Sequence, residues 1–508
     1  MHGLRTSIRA TPSLSGVTTR SAILSFLVNG SPPTTHGMSN MVTSSPNRQR
    51  MSAQQRRVLA IAVLASFVAF LDGSVVNVAL PAMTDELGGG LAVQQWVVDA
   101  YLITLGALIL LAGSLSDAFG RVRILRIGLI GFGITSLLCA AAPSAEILIG
   151  ARLLQGASGA LLVPSSLAII VSTFSGPAQG RAIGIWTAWT GAASIAGPVL
   201  GGLLVDGMSW RYIFLINVIP IMFTLWLMRP LPKTATDTQR PKIDVVGALL
   251  GAIGLGGPVF ALIEQGRYAW SSPVLIVPAI VGIVSFAAFL WWERHHPSPM
   301  LPLSLFRVRN FGMGNIATAF IYGALSVGFF AITVFIQQSA GFSATLAGLA
   351  ALPSTLIMLA LSSWFGRLAG IHGPRLFMTV GPIVAGAGFA LMTSASHDFN
   401  YWTNILPGIV LVGLGLAVTV APLTSGILGA IDPARAGIGS AVNNAVSRVA
   451  GLVAVALVGI VAGGALDSDG FGRVVFVTAI LMFVGGIVSF IGIRNPTAAP
   501  ELATTGAP

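Results

Sequence analysis

Two opposite charges stand alone in long apolar runs of this 508-residue chain: Asp72 in the run 58–80 and Arg152 in the run 147–173. An ionised side chain in hydrocarbon costs at least ~2.5–3.5 kcal/mol, so it faces a partner or a water-filled space. Helical rise puts Asp72 about 21 Å from one edge of its run. With neighbouring runs alternating in direction, Arg152 lies about 22 Å from that same edge of a ~30 Å layer. An acid and a base at one depth can take up and release a proton, because neutralising the carboxyl frees its partner. They can equally form a permanent pair that only holds helices together. Asp99, in Trp96-Val-Val-Asp99-Ala-Tyr101, sits nearer the opposite edge, as a second proton carrier or an acid reaching the interface.

Other chemistries lack their residues. No Gly-x-x-x-x-Gly-Lys-Ser/Thr loop occurs, so nothing cradles a nucleotide for direct ATP use. No Asp-x-x-Asp cluster is available for a Mg²⁺-pyrophosphate enzyme, and the histidines have no ligand spacing. The single cysteine, Cys139, excludes an intramolecular disulfide and a cysteine-built metal site. The expectation is a protein with no enzymatic activity, no metal and no cofactor. Glu264 reads as an interfacial acid beside Gln265 and Arg267. Arg448, one turn after Asn443 and Asn444, either lines an internal space or snorkels to the membrane surface.

The elements that position these charges follow from composition. The chain is 54% hydrophobic and 8% charged, against about 25% charged in soluble domains, so a water-facing surface cannot be built. Strands of a membrane barrel would alternate apolar and polar residues, whereas these runs are continuous over about 20 residues, the length of a spanning helix. We count fourteen runs, from 58–80 to 472–493, the sixth at 212–228 and the seventh and eighth at 245–265 and 273–292. Bases fall in alternate connections: Arg121, Arg123 and Arg126, then Arg181, Arg229, Arg294, Arg307, Arg367 and Arg435. The intervening connections hold Asp85, Glu86, Glu146, Asp398, Asp467 and Asp469. This asymmetry places both termini in the cytoplasm and the chain in the cell (inner) membrane. The net charge of +11 therefore encodes orientation, and no basic face with interleaved aromatics suggests nucleic acid.

The organisation reads as a tail at 1–55, free of Asp and Glu and with Met51 as a sensible alternative start, then a first six-helix half at 56–230. A linker and extra helix pair at 231–305, a second half at 306–495 and a tail at 496–508 follow. Gly113-Ser-Leu-Ser-Asp117-Ala-Phe-Gly120-Arg121 echoes Gly366-Arg367-Leu-Ala-Gly-Ile-His-Gly373-Pro374-Arg375 at the same side of the membrane. Such an echo suits two related halves rocking around a midplane site. Gln155-Gly156-Ala-Ser-Gly159-Ala160 and Gly197-Pro198-Val-Leu-Gly201-Gly202 let backbones approach closely, and the proline suggests a kink. Residues expected to face an internal cavity are Asn77, Tyr101, Gln155, Trp186, Trp189, Asn217, Asn315, Tyr322 and Gln337, a set suited to amphipathic, aromatic-stacking molecules.

These segments together resemble the major facilitator superfamily, in its fourteen-helix drug:proton antiporter branch. Leu71-Asp72-Gly73-Ser-Val-Val-Asn77-Val-Ala-Leu-Pro81 is similar to the first-helix motif and Gly113-x-x-x-Asp117-x-x-Gly120-Arg121-x-Arg123 to the loop motif. Arg152-x-x-Gln155-Gly156-x-x-Gly159-Ala160 resembles the fourth-helix motif, Gly184 to Gly202 the antiporter motif, and Trp210-Arg211-Tyr212 opens a further branch-like segment. Gly73, Ala118 and Ala193 depart from the usual residues. The resemblance implies alternating access between two bundles, coupling of protons at Arg152, and Asp117 and Arg121 as gate contacts. Its expected partners are protons, a small-molecule substrate and the bilayer, with the chain a monomer. The competing expectations are a dedicated exporter of one self-made metabolite and a membrane receptor.

Overall fold

A computed structural model describes residues 51–231, 243–297, 299–396, 399–432 and 435–495. Residues 1–50 of the tail expected at 1–55, the tail at 496–508, most of the linker after 231, and Asp398 lie outside the described residues; the end of the first tail is instead helical, since the first helix begins at Ala53. The chain folds entirely into helices here because apolar runs of this length satisfy every backbone group internally. Among the described residues, thirteen helices are long and apolar enough to cross a membrane, beginning with α1 Ala53–Leu87, α2 Gly90–Phe119, α3 Arg121–Ala140, α4 Ala145–Thr173 and α5 Gly176–Gly207. After a shorter α6 come α7 Val245–Glu264, α8 Pro273–His295, α9 Arg309–Gln338 and α10 Ala344–His372. The last four are α11 Pro374–Ala395, α12 Tyr401–Leu428, α13 Ala436–Ala462 and α14 Ser468–Gly492.

The sixth run differs from the expected uniform span. α6, Tyr212–Leu227, is a shorter apolar helix, with a break at Ile216 and Asn217 between Tyr212–Leu215 and Val218–Leu227. Its 16 residues rise only about 24 Å, less than the ~30 Å hydrocarbon core. The break puts Asn217 where a polar side chain can turn inward.

Helices α1 to α6 pack on one another, with α1 against α5 and α2 against α4. Helices α9 to α14 do likewise, with α11 against α12 and α14, and α9 against α13 and α14. The two sets meet along α2 with α13, α1 with α9, and α5 with Ala344–Ala350, the first segment of α10. Lipid tails are as apolar as leucine, so close packing carries these contacts. Between α11 and α12, Gly381, Gly388, Gly408 and Gly415 bring the backbones so near that no side chain fits. The pair α7–α8 docks on α2 and α13 through α7. α8 instead turns Ile280, Ile283, Val284 and Trp291 outward, only 17% of its spanning window being buried, which suits a lipid-facing helix.

The internal echo has a backbone counterpart. α2 turns into α3 at Gly120 (φ 93°) and α10 into α11 at Gly373 (φ 83°), each a single-residue turn in the left-handed region that favours glycine. Both glycines follow another by seven positions, Gly113 and Gly366.

Candidate functional site

The two lone charges meet. Arg152 Nη1 donates to Asp72 Oδ2 at 2.7 Å, with both side chains buried (2% and 0% exposed). The other carboxylate oxygen, Oδ1, accepts from Gln155 Nε2 at 3.0 Å and Asn217 Nδ2 at 2.8 Å. Arg152 also donates to Gln155 Oε1 at 2.7 Å and to the Val97 carbonyl at 3.0 Å. Its guanidinium lies 4.3 Å from the centroid of the Tyr101 ring. Ser136 Oγ takes a further hydrogen bond from Gln155 at 3.0 Å.

Each contributor comes from a different element for a local reason. Asp72 sits in uninterrupted α1, Tyr101 in α2, Ser136 in α3, and Arg152 and Gln155 lie three apart on one face of α4, where i and i+3 side chains share a side. Asn217 arrives from the break in α6. At Gly156 and Gly159, the backbone and ring of Tyr101 occupy the space a side chain would need, so α2 and α4 come close enough for Arg152 to cross. A buried ion pair is stable only when further hydrogen bonds offset its desolvation, and here both carboxylate oxygens and two guanidinium nitrogens have them.

Sequence reasoning found the Asp72–Arg152 pairing by depth but placed Gln155, Asn217 and Tyr101 along the substrate path. The structure gathers all three around the pair instead. Ser136 gave no signal: a serine in an apolar run reads as ordinary helix packing. Asp99 stays apart from this network. It is fully buried, and neither carboxyl oxygen has a hydrogen-bond partner among the described residues. Its helical neighbours four residues away show its direction: Gln95 donates to the Val455 and Ala456 carbonyls of α13, and Ile103 packs with Leu255 of α7 and Leu452 of α13. Asp99 therefore belongs to the seam of α2, α7 and α13. Glu264, read as a plain interfacial acid, accepts from Trp96 Nε1 at 2.8 Å and ties α7 to α2.

The other expected cavity positions, Asn77, Trp186, Trp189, Asn315, Tyr322 and Gln337, are spread over three helices. Phe70, Gly73 and Asn77 keep some exposure along one stripe of α1, and no heavy atom of another residue lies near the Gly73 α-carbon's open side. Trp186 Nε1 donates to Ser66 Oγ at 2.9 Å, and exposed Trp189 meets Phe67 edge-on. On α9, Asn315 is buried and its side-chain oxygen accepts from Asn443 at 3.1 Å, while Tyr322 is half-buried two turns along the same face. Gln337 lies elsewhere, in a surface pocket with Asp85, Asp206 and Ser343 at the far end of α9. It was expected in the cavity, but it is in the final turn of its helix.

Of the loop motif, Asp117 and Arg121 form an exposed ion pair at 3.2 Å, and Arg121 Nη1 donates to the Ala168 carbonyl of α4 at 3.1 Å. Arg123 is exposed, and Gly113 has open space where a side chain would stand. At the opposite end, α5 closes on α10. Gly202 abuts the Thr345 backbone, and Gly348 abuts the Pro198 carbonyl. Asp206 accepts the Ala344 and Thr345 N–H groups at 3.0 and 2.8 Å, satisfying donors that a helix start leaves unpaired. Gly197 and Gly201 face Ser74, Val75 and Val78 of α1 instead. α5 runs on through Pro198 as one helix. Asp206 was missed because an acid at a helix end carries no local sign of its distant partner.

Comparison with known proteins agrees with this architecture. Residues 62–455 match the family model of the Major Facilitator Superfamily. The puromycin resistance protein pur8 of Streptomyces alboniger is 34% identical over 80% of this chain and 82% of its own length. The methylenomycin A resistance protein of Bacillus subtilis is 32% identical over 91% of this chain and all of its own. The multidrug efflux pump LfrA of Mycolicibacterium smegmatis is 31% identical over 83% and 84%. Among solved structures, the xylose transporter XylE from E. coli, in a partially occluded inward-open conformation, superposes with a TM-score of 0.60 over 87% of this chain and 99% of that one, at 13% identity. A POT family peptide transporter does so with a TM-score of 0.62 over 88% and 98%, at 16% identity. The protein is a multi-pass membrane transporter, not an enzyme, and it belongs to the Major Facilitator Superfamily.

Proposed function

We propose that the chain is a proton-coupled antiporter that exports amphipathic small molecules by alternating access. The observation that carries this reading is the buried Asp72–Arg152 pair with Gln155 and Asn217 completing the carboxylate's hydrogen bonds. Protonating Asp72 removes the charge that holds Arg152, so proton uptake is tied to rearrangement of α1, α4 and α6. Asp99, in the seam, is the second candidate carrier. No cofactor takes part; the proton gradient supplies the energy. One proton entering down ~100 mV and ~1 pH unit releases about 3.7 kcal/mol. That sustains roughly a 500-fold gradient of a neutral substrate, enough for useful export.

In this reading α6 is the fourteenth span, helices α1–α6 and α9–α14 form two pseudo-symmetric halves, and α7–α8 is the extra pair. Bases gathered at the Asp117 end orient that end and both termini toward the cytoplasm of the cell membrane. The conformation is then closed outside, at Asp206 and the start of α10, and the Asp117–Arg121 gate stays within its own half. The paired backbone turns at Gly120 and Gly373 support two related halves, and the protein works as a monomer. Relatives named for puromycin and methylenomycin A resistance favour export; because each is named for one antibiotic, a dedicated single-metabolite exporter is the second reading.

The test is proton flux. Purified protein in vesicles with an internal pH dye should move protons when an amphipathic substrate gradient is imposed, in the opposite direction to the substrate. Substrate movement with no opposed proton flux would refute antiport.

A further inference from the structure

Arg448 lies 12 residues into α13, about 18 Å along the helix, which is mid-membrane depth. It does not snorkel. Its guanidinium carbon stands 5.9 Å from the centroid of the Phe70 ring on α1, and its Cβ lies against Gly106 of α2. It is also near enough to act electrostatically on the Tyr101 and Tyr322 hydroxyls. Four helices, α1, α2, α9 and α13, therefore surround one half-buried cation that retains accessible surface.

Among the described residues, Arg448 has no ion pair and no side-chain hydrogen bond; the Phe70 ring is its one partner. Arg152 shows the contrast, with a carboxylate, a carbonyl and an amide oxygen around it. The two nearby ionisable positions on the α1 side are already committed, Asp72 to Arg152 and Tyr101 to the face of Arg152. A guanidinium has five N–H donors in a planar fork matched to carboxylate and similar oxyanions. Phe70 and Tyr322 offer aromatic surface beside it, and Asn444 stands one turn before it on α13.

We infer that Arg448 selects substrates carrying an anionic group, the ligand class being aromatic amphipaths with a carboxylate or sulfonate. This rests on, and sharpens, the export reading: the aromatic body stacks by Phe70 and Tyr322 while the oxyanion meets the guanidinium. Cationic dyes are disfavoured at the same site by like charge.

Three matched probes test it: 1-naphthaleneacetate, neutral 1-naphthaleneethanol and cationic 2-(1-naphthyl)ethylammonium. Binding to the full chain in nanodiscs is read by equilibrium dialysis, with empty nanodiscs subtracted. Wild type should rank acetate above alcohol above ammonium. Arg448→Gln should lower acetate affinity about 10-fold or more, the scale of a charge-assisted hydrogen bond, and leave the alcohol unchanged. Arg448→Lys, which keeps the charge and serves as the folding control, should keep the ranking. Equal or tighter ammonium binding, acetate affinity indifferent to Arg448→Gln, or no specific acetate binding would each overturn the inference. Specific acetate binding without opposed proton flux would leave the inference standing and remove antiport.

Discussion

Asp72 and Arg152, 80 positions apart in sequence, are joined at 2.7 Å with neither side chain exposed to solvent. The pair crosses from α1 to α4, the helix that also presents Gln155. Asn217 reaches the same carboxylate from α6, so one ionisable group is bonded by two further helices. A change of charge at Asp72 is felt by all three at once.

The two partners should respond differently to removal. Arg152→Met leaves the Asp72 charge buried beside two neutral amides, a loss of about 3–5 kcal/mol. Asp72→Asn keeps a hydrogen-bonding side chain of the same shape and should cost less. Cys139 provides the readout, since the lone thiol is fully buried. A fluorogenic maleimide should label it only as the protein unfolds on heating. Arg152→Met should label at clearly lower temperature than Asp72→Asn; the reverse order would mean that the unpaired Arg152 charge costs more than the unpaired Asp72 charge.

The closed end at Asp206 makes a second expectation. Asp206→Ala removes two acceptor contacts to the start of α10, each worth about 0.5–1.5 kcal/mol. In a Cys139→Ala background, a cysteine at position 345 should then react about 5- to 150-fold faster with an impermeant maleimide. Unchanged labelling would show that the Gly202 and Gly348 backbone contacts close this end without Asp206.

The glycines of α5 should separate folding from movement. Gly197 packs on Ser74 within the first set of helices, whereas Gly202 packs on Thr345 of α10. Gly197→Leu should reduce the amount of inserted protein. Gly202→Val should leave abundance near wild type and abolish transport, because the helices it keeps apart need only meet in one conformation. Loss of abundance in both would argue that the α5–α10 contact is permanent.

Much of this was legible in the sequence, and for definite reasons. Continuous apolar runs determine helices, and rise per residue determines depth, so the meeting of Asp72 with Arg152 followed from arithmetic. Gly113 and Gly366, each seven positions before a left-handed turn, showed as a repeat because that backbone favours glycine. Rotation about each helix axis was not legible, since nearly all faces are apolar. Hence Gln155 and Asn217 were read as facing substrate when they face Asp72, and Arg448 was left between two directions. Gln337 was misplaced because run edges in sequence blur the final turn. α6 reads as a full span from hydropathy alone, and its break at Asn217 becomes visible only when the polar network around it is seen.

If Asp72 couples protons to export, its neutralisation must stop proton-driven efflux. The direct measurement is efflux of a neutral amphipathic dye, Nile red, from energised cells. Wild type and Asp72→Asn are compared at matched membrane abundance, each with and without a protonophore. Wild type should show efflux that the protonophore abolishes, and Asp72→Asn none above background. Wild-type-level efflux by Asp72→Asn, with the protonophore still abolishing it, would contradict the role of Asp72; efflux that survives the protonophore as well would contradict proton coupling altogether.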